Sequence, residues 1–205
     1  MQKYSGLNYT MLCDFYELTM GNGYFEAGLK DKITYFDLFY RTVPDGGGFA
    51  IAAGLEQAID YIRNLHFSEE DIDYLRGRGM FSEAFLDYLR HFKFTGDVWA
   101  MPEGTPVFPR EPIMVIRAPA IQAQLLETFL LLTINHQSLI ATKANRIVRA
   151  ADGRVVLEFG SRRAQGAEHV VGLAVRGGVV VDRDGIGEAA LLGDAVHAVP
   201  IGLVQ

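Results

Sequence analysis

The chain has 205 residues, 49% of them hydrophobic and 21% charged, and a formal net charge of −6. That length buries a sizeable core in one large domain or two small ones, and the composition is that of a globular chain, not a disordered one. The acidic balance argues against a sequence-independent nucleic-acid binder, which needs a basic face to neutralise phosphates.

Cys13 is the single cysteine, so no internal disulfide can form and nothing calls for an oxidising compartment. It is expected as a buried small hydrophobe, with a catalytic thiol as the alternative. The first twenty residues carry acids and no continuous apolar core, so no secretory signal is expected. The most apolar run, residues 129–134, falls far short of the ~18 residues a bilayer span needs. A soluble, cytoplasmic protein with no membrane partner is the expectation.

In chain order, residues 8–27 place Met11, Phe15, Leu18 and Tyr24 or Phe25 at helical spacing and predict a helix. Residues 33–40 (ITYFDLFY) are rich in β-branched and aromatic side chains and read as a strand. The run Pro-Asp-Gly-Gly-Gly at 44–48 punctuates it, and helical spacing resumes over 49–64. Ser68 and Asp71 make a capping box, and Ser82 is a second N-cap with Phe81 and Leu86 placed as a staple. Ile72, Leu75, Phe85, Leu86 and Leu89 are the core-facing positions of those two helices. Three short β-like runs separated by prolines follow at 97–101, 106–108 and 113–117. Residues 122–151 are helical, as two helices meeting near 133–136, and 154–159 (RVVLEF) is a short apolar strand ending at Gly160.

Sites of α/β proteins lie beyond the carboxyl ends of strands. The loop after that last strand, FGSRRAQG at 159–166, is therefore the first candidate. Arg162 and Arg163 offer forked, permanently charged donors suited to carboxylate or phosphate. Gly160 permits close backbone approach, and Phe159 offers a flat face. A structural Arg pair at a domain seam reads equally well from the residues. The segment DFYELTM at 14–20 reads on its own as an amphipathic helix with one solvated polar face. Gly46-Gly47-Gly48 lacks the Gly-Lys-Ser/Thr of a nucleotide loop and reads as a strand-to-helix turn. Glu103 reads as a turn residue, and Lys143 and Arg146 as a solvated or interface face. The five histidines (His66, His91, His136, His169 and His197) are not spaced for a structural metal, and no metal site is expected.

Taken together, five runs resemble the nicotinate phosphoribosyltransferase family in order and spacing. They are CDFYELTMGNGYFEAG, FDLFYRTVPDGGGFAIAAGLEQA, FTGDVWAMPEGTPVFPREPI, IQAQLLETFLLLTINHQSLIATKANRIVRAA and LEFGSRRAQG. The resemblance implies an α/β fold: an N-terminal mixed α/β domain over 1–118, then the start of an incomplete α/β barrel-like domain over 119–205. It implies transfer of a phosphoribosyl group from phosphoribosyl pyrophosphate to nicotinate, with Mg²⁺ and with ATP as co-substrate, in a homodimer whose sites lie between subunits. A related enzyme using nicotinamide or quinolinate is the runner-up, and a non-catalytic partner subunit keeping the fold is the rival from another class.

By the same resemblance, Phe159 stands at the position that stacks on the pyridine ring, with Gly160 beside it among the substrate-binding residues, and Arg162 at the base and phosphate site. Arg163 stands beside it as a second catalytic candidate. Tyr16 would reach across the dimer to the other ring face, with Asp14 close by. The match is lost over 167–205, which is expected to be a frame-shifted or truncated tail or a real short variant. His197 there is the candidate for the ATP-linked histidine.

Overall fold

The computed structural model describes residues 8–43 and 46–157. Residues 8–14 form a turn and not the first turns of a helix, with Asn8 Oδ1 accepting from the Thr10 amide at 3.0 Å. Helix α1 spans Phe15–Glu26. The expected start at residue 8 is thus corrected: an Asn side chain that bonds its own backbone two residues on competes with a helix. Gly28 ends α1 at φ +69, where its amide and that of Leu29 reach back to Phe25 and Tyr24.

Strand β1 (Ile33–Phe39) follows as expected. Residues 49–64 are not one helix. They divide into β2 (Ala50–Ile51), a turn at Gly54, and α2 (Leu55–Asn64). The alanines of AIAAG fit helical spacing, but their backbone is bonded elsewhere. The Ile51 amide donates to Thr142 Oγ1 at 2.8 Å, the Ala53 amide to Ser138 Oγ at 3.0 Å, and the Ala52 amide to the Thr105 carbonyl at 2.9 Å. Gly54 sits at φ +103, and a Cβ there would come within 3.2 Å of the Thr133 carbonyl and of Gln137, so only glycine fits.

Helices α3 (Glu69–Gly77) and α4 (Glu83–Arg90) begin at the two expected caps. Ser68 and Asp71 bond reciprocally, and Ser82 Oγ accepts from the Phe85 amide at 3.2 Å. Ile72, Leu75, Phe85, Leu86 and Leu89 are all fully buried.

The small sheet comprises β3 (Asp97–Ala100), β4 (Pro106–Val107) and β5 (Pro112–Pro119). Strands β1, β5 and β3 form an antiparallel sheet in that order, and β2 pairs with β4. Along β5, Met114, Ile116 and Ala118 are buried, while Val115 and Arg117 alternate to the other face, the period-two pattern of a sheet covered on one side. On the open face, Tyr35, Arg117 and Asp97 share one row, and Arg117 Nη1 bonds Asp97 Oδ2 at 2.9 Å.

Helix α5 (Ala120–Gln124) and the long α6 (Glu127–Ala151) complete the described chain. The break between them falls at Leu125 and Leu126, not near 133–136. Through that expected break point, Ile134, Gln137 and Ser138 are buried on one continuous face. Residues 154–156 have no regular structure, Leu157 makes only an isolated bridge, and Val155 and Leu157 are exposed. The expected buried strand is corrected over these four residues, since an apolar run is buried only where another layer covers it. Residues 158–159 of that reading lie outside the described residues.

One core joins these elements: Leu18 of α1, Phe85 and Leu89 of α4, Ile116 of β5, and Ile121, Leu126 and Leu130 belong to the same cluster. No described helix is long and apolar enough to cross a membrane.

Candidate functional site

Of the expected site residues, Asp14 and Tyr16 fall within the described chain; Phe159, Gly160, Arg162, Arg163 and His197 lie outside the described residues. The site is therefore built from the N-terminal ends of α1 and α6, which hydrogen bonds join.

Asp14 is the N-cap of α1, in extended conformation at φ −67 and ψ 138. An N-cap aspartate usually accepts from an amide of the first turn. Here the carboxylate makes no capping bond and is exposed. The Asp14 amide donates to Thr128 Oγ1 on α6 at 3.1 Å, which fixes where the side chain leaves the backbone.

Two residues on, the Tyr16 ring is 43% exposed, and its hydroxyl donates to Glu127 Oε1 at 2.9 Å. Glu127 Oε2 accepts from Gln124 Nε2, also at 2.9 Å. The phenol, partly desolvated against α6 and bonded to a carboxylate, has its pKa pushed up to about 12. A tyrosine tethered at its hydroxyl and open along its ring presents a flat apolar surface in a fixed orientation.

Glu17 corrects the expectation of a solvated polar face. It is fully buried, on the inward side of α1 with Leu18 and Gly21. Its Oε1 accepts from the Thr128 amide at 3.1 Å and, through a short bond, from the Thr128 hydroxyl. Burial pushes its pKa up against the lowering effect of those bonds. A sequence signal existed: Glu17 lies one helical turn before Gly21, which packs against Phe85 and Ile121.

Cys13 is half-buried and not fully buried as expected, but it packs against the main core as a small hydrophobe does. Desolvation, then the nearby Glu17 and Asp14, push its pKa up to about 12, which disfavours a catalytic thiolate.

Further along α6, an open groove of about 440 Å³ lies between the end of β1 and the helix. Phe39, Tyr40, Arg41, Leu131, Ile134 and Asn135 line it. The Tyr40 hydroxyl donates to the Asn135 carbonyl at 3.2 Å across its floor. Among the described residues no group of three His, Cys, Asp or Glu side chains is placed to hold a metal ion.

Two other expected surface features have structural roles. Glu103 is more than a turn residue: its carboxylate accepts from the Gly54, Leu55 and Glu56 amides at 2.8–3.4 Å and so caps α2. Arg146 is half-buried against Gly47, where a Cβ would collide with its guanidinium. The glycine turn at 46–48 leads into β2, not directly into a helix.

A family model described as the nicotinate phosphoribosyltransferase (NAPRTase) N-terminal domain matches residues 11–135, which include all of the Asp14, Tyr16 and Glu127 arrangement. The chain belongs to the nicotinate phosphoribosyltransferase family.

Among curated members, the chain is 46% identical over 158 residues to nicotinate phosphoribosyltransferase pncB2 of Mycobacterium tuberculosis, covering 77% of this chain and 34% of that protein. It is also 46% identical over 151 residues to the Bacillus subtilis nicotinate phosphoribosyltransferase, covering 74% of this chain and 31% of that protein. Among solved structures, it superposes on human nicotinic acid phosphoribosyltransferase with a TM-score of 0.71 at 36% identity, covering 78% of this chain and 33% of that one. A likeness to the nicotinate-nucleotide pyrophosphorylase of Pyrococcus furiosus, with TM-score 0.60 and 23% identity, extends the fold alone. The chain spans about a third of the length of the curated relatives it matches. The mixed α/β architecture expected from the sequence agrees with that of the human structure.

Proposed function

We propose that this chain forms the N-terminal part of an enzyme that joins nicotinate to phosphoribosyl pyrophosphate, giving nicotinate mononucleotide and pyrophosphate in NAD salvage. The observation that supports this most is the tethered, open Tyr16 ring beside the unused Asp14 carboxylate. It stands at the position where the family resemblance puts one face of the pyridine site.

In this reading the ring of nicotinate lies between Tyr16 of one subunit and Phe159 of the other, with Arg162 binding the base and phosphate side and Arg163 beside it. Tyr16 sits at the N-terminal end of α6, whereas the 159–166 loop follows its C-terminal end. The Tyr16 end is also acidic, with Asp14 and Glu127, and complements the two arginines of that loop.

Chemistry at the ribosyl carbon then rests on positioning the base and on cationic stabilisation of departing pyrophosphate. Mg²⁺ and ATP belong to the proposal as companions of phosphoribosyl pyrophosphate. The described residues offer no cluster to hold the metal themselves, so no step is assigned to it. The homodimer, the cytoplasmic location, the division at residues 118 and 119, and His197 as the ATP-linked histidine belong to the same proposal.

The experiment uses hybrid dimers. Residues 1–166 are fused to the remaining part of the Mycobacterium tuberculosis relative, and Tyr16→Ala and Arg162→Ala variants of the fusion are made. Each alone is expected to lose activity heavily, and Arg162→Ala by roughly tenfold to a hundredfold. Unfolded, mixed and refolded together, the two variants are expected to recover about a quarter of wild-type activity, since half of the random dimers carry one intact site. No recovery on mixing, with dimers present, would refute the shared site.

A further inference from the structure

We infer that Glu17 is a positioning residue for the pyridine site, holding Asp14 and Tyr16 in place by fastening the first turn of α1 to the first turn of α6 through Thr128. The inference rests on the reading of Tyr16 given above.

The linkage has no spare parts. Thr128 gives both its amide and its hydroxyl proton to Glu17 Oε1, which leaves the hydroxyl oxygen to accept the Asp14 amide at 3.1 Å. The neighbouring Glu127 accepts the Tyr16 hydroxyl. Adjacent residues of α1, one pointing inward and one outward, are thus bonded to adjacent residues of α6. Glu17 acts from inside the core and Tyr16 works outside it.

Apolar contacts such as those of Leu18 and Phe25 are non-directional and leave a helix free to shift by a fraction of an ångström at little cost. A directional bond to a buried carboxyl does not, because losing it strands a polar group. Burying a carboxyl where leucine would fit costs stability, and the return for that cost is a single arrangement of the helix pair. The other Glu17 oxygen, Oε2, is buried and has no hydrogen-bond partner, so both bonds the carboxyl accepts from Thr128 fall on Oε1. The neighbouring ionisable groups, Cys13, Asp14, Tyr16, Tyr61 and Glu127, are all acids, and none offers a counter-charge. A glutamine keeps the acceptor at the Oε1 position, and with it both bonds from Thr128.

The test uses the full 205-residue chain with ¹³C-labelled tyrosine rings, read by NMR and titrated with nicotinate. Wild type is expected to show Tyr16 signals that shift on titration. Glu17→Ala is expected to displace those signals before any ligand is added, to reduce hydrogen-exchange protection of the Asp14 amide, and to weaken nicotinate binding by about tenfold or more. Thr128→Val is expected to do the same, and serves if Glu17→Ala does not fold. Glu17→Gln is expected to restore signals and affinity to within about twofold of wild type. Leu18→Ala, a plain loss of packing, is the control: it lowers Tm while leaving Tyr16 signals and affinity in place. Destabilised Glu17→Ala and Thr128→Val chains with wild-type Tyr16 signals and affinity would overturn the inference. A wild-type chain whose Tyr16 ignores nicotinate would overturn the site reading, and with it the role of Glu17, whatever the ligand-free spectra show.

Discussion

Removing the Glu103 carboxylate is expected to destabilise the fold although the residue sits in a turn between two short strands. In Glu103→Ala the Gly54, Leu55 and Glu56 amides lose their acceptor together, and the positive end of α2 loses its counter-charge. An N-cap is worth about 1 kcal/mol, and a carboxylate at a partly buried helix N-terminus adds up to about 1–2 kcal/mol. The Glu56 amide is exposed and can turn to water; Gly54 is closed in by Thr133 and Gln137 of α6 and cannot do so as easily. The expected loss is therefore about 2–3 kcal/mol, or roughly 5–10 °C in Tm for a chain of this size. Glu103→Gln keeps a carbonyl acceptor without the charge and should lose about half as much. Urea unfolding followed by circular dichroism measures both. A Glu103→Ala chain within about 0.5 kcal/mol of wild type would refute the idea that this carboxylate holds α2.

Three further outcomes follow from the site. Glu17 has a folded-state pKa raised by burial, so its contribution is fully present below its unfolded pKa and is lost as pH rises through the folded one. Glu17→Gln should therefore be more stable relative to wild type at pH 8 than at pH 4, as measured by Tm across that range; an unchanged difference would show that Glu17 is ionised at no cost. Cys13, with its thiol pushed up to about 12, should react with a thiol reagent at pH 8 at least a hundredfold more slowly than free cysteine, by roughly the ratio of thiolate fractions; fast labelling of the folded chain would contradict its packing. The 205-residue chain assayed alone with nicotinate, phosphoribosyl pyrophosphate, Mg²⁺ and ATP should form no mononucleotide, because catalysis needs the base clamp and the phosphate clamp together. Clear turnover would mean that residues 167–205 build a phosphate site of their own.

The fold was legible where local chemistry and packing agree. Ser68 with Asp71 and Ser82 announce α3 and α4 because capping is a local bond, and the stripe from Ile72 to Leu89 is buried because nothing competes with it. It was illegible where distant residues decide. The backbone over 50–54 follows Ser138 and Thr142, more than eighty residues away, so helical spacing in its own sequence misleads. Glu103 looks like a turn residue until α2 is brought to it. Tyr16 and Asp14 could be singled out only by likeness to the family, since on their own they suit the polar face of any helix. Glu17 beside them, with no local mark except its spacing from Gly21, proved to be the buried one.

A competition assay tests most directly the proposal that this chain carries both faces of a shared nicotinate site, Tyr16 for one and Phe159 with Arg162 for the other. The fusion of residues 1–166 to the remaining part of the Mycobacterium tuberculosis relative is given equal concentrations of nicotinate, nicotinamide and quinolinate with phosphoribosyl pyrophosphate, Mg²⁺ and ATP, and the products are resolved by mass. Nicotinate mononucleotide should form first and dominate, and Tyr16→Ala should reduce it. Preferential use of nicotinamide or quinolinate, or a nicotinate rate indifferent to Tyr16→Ala, would contradict the account.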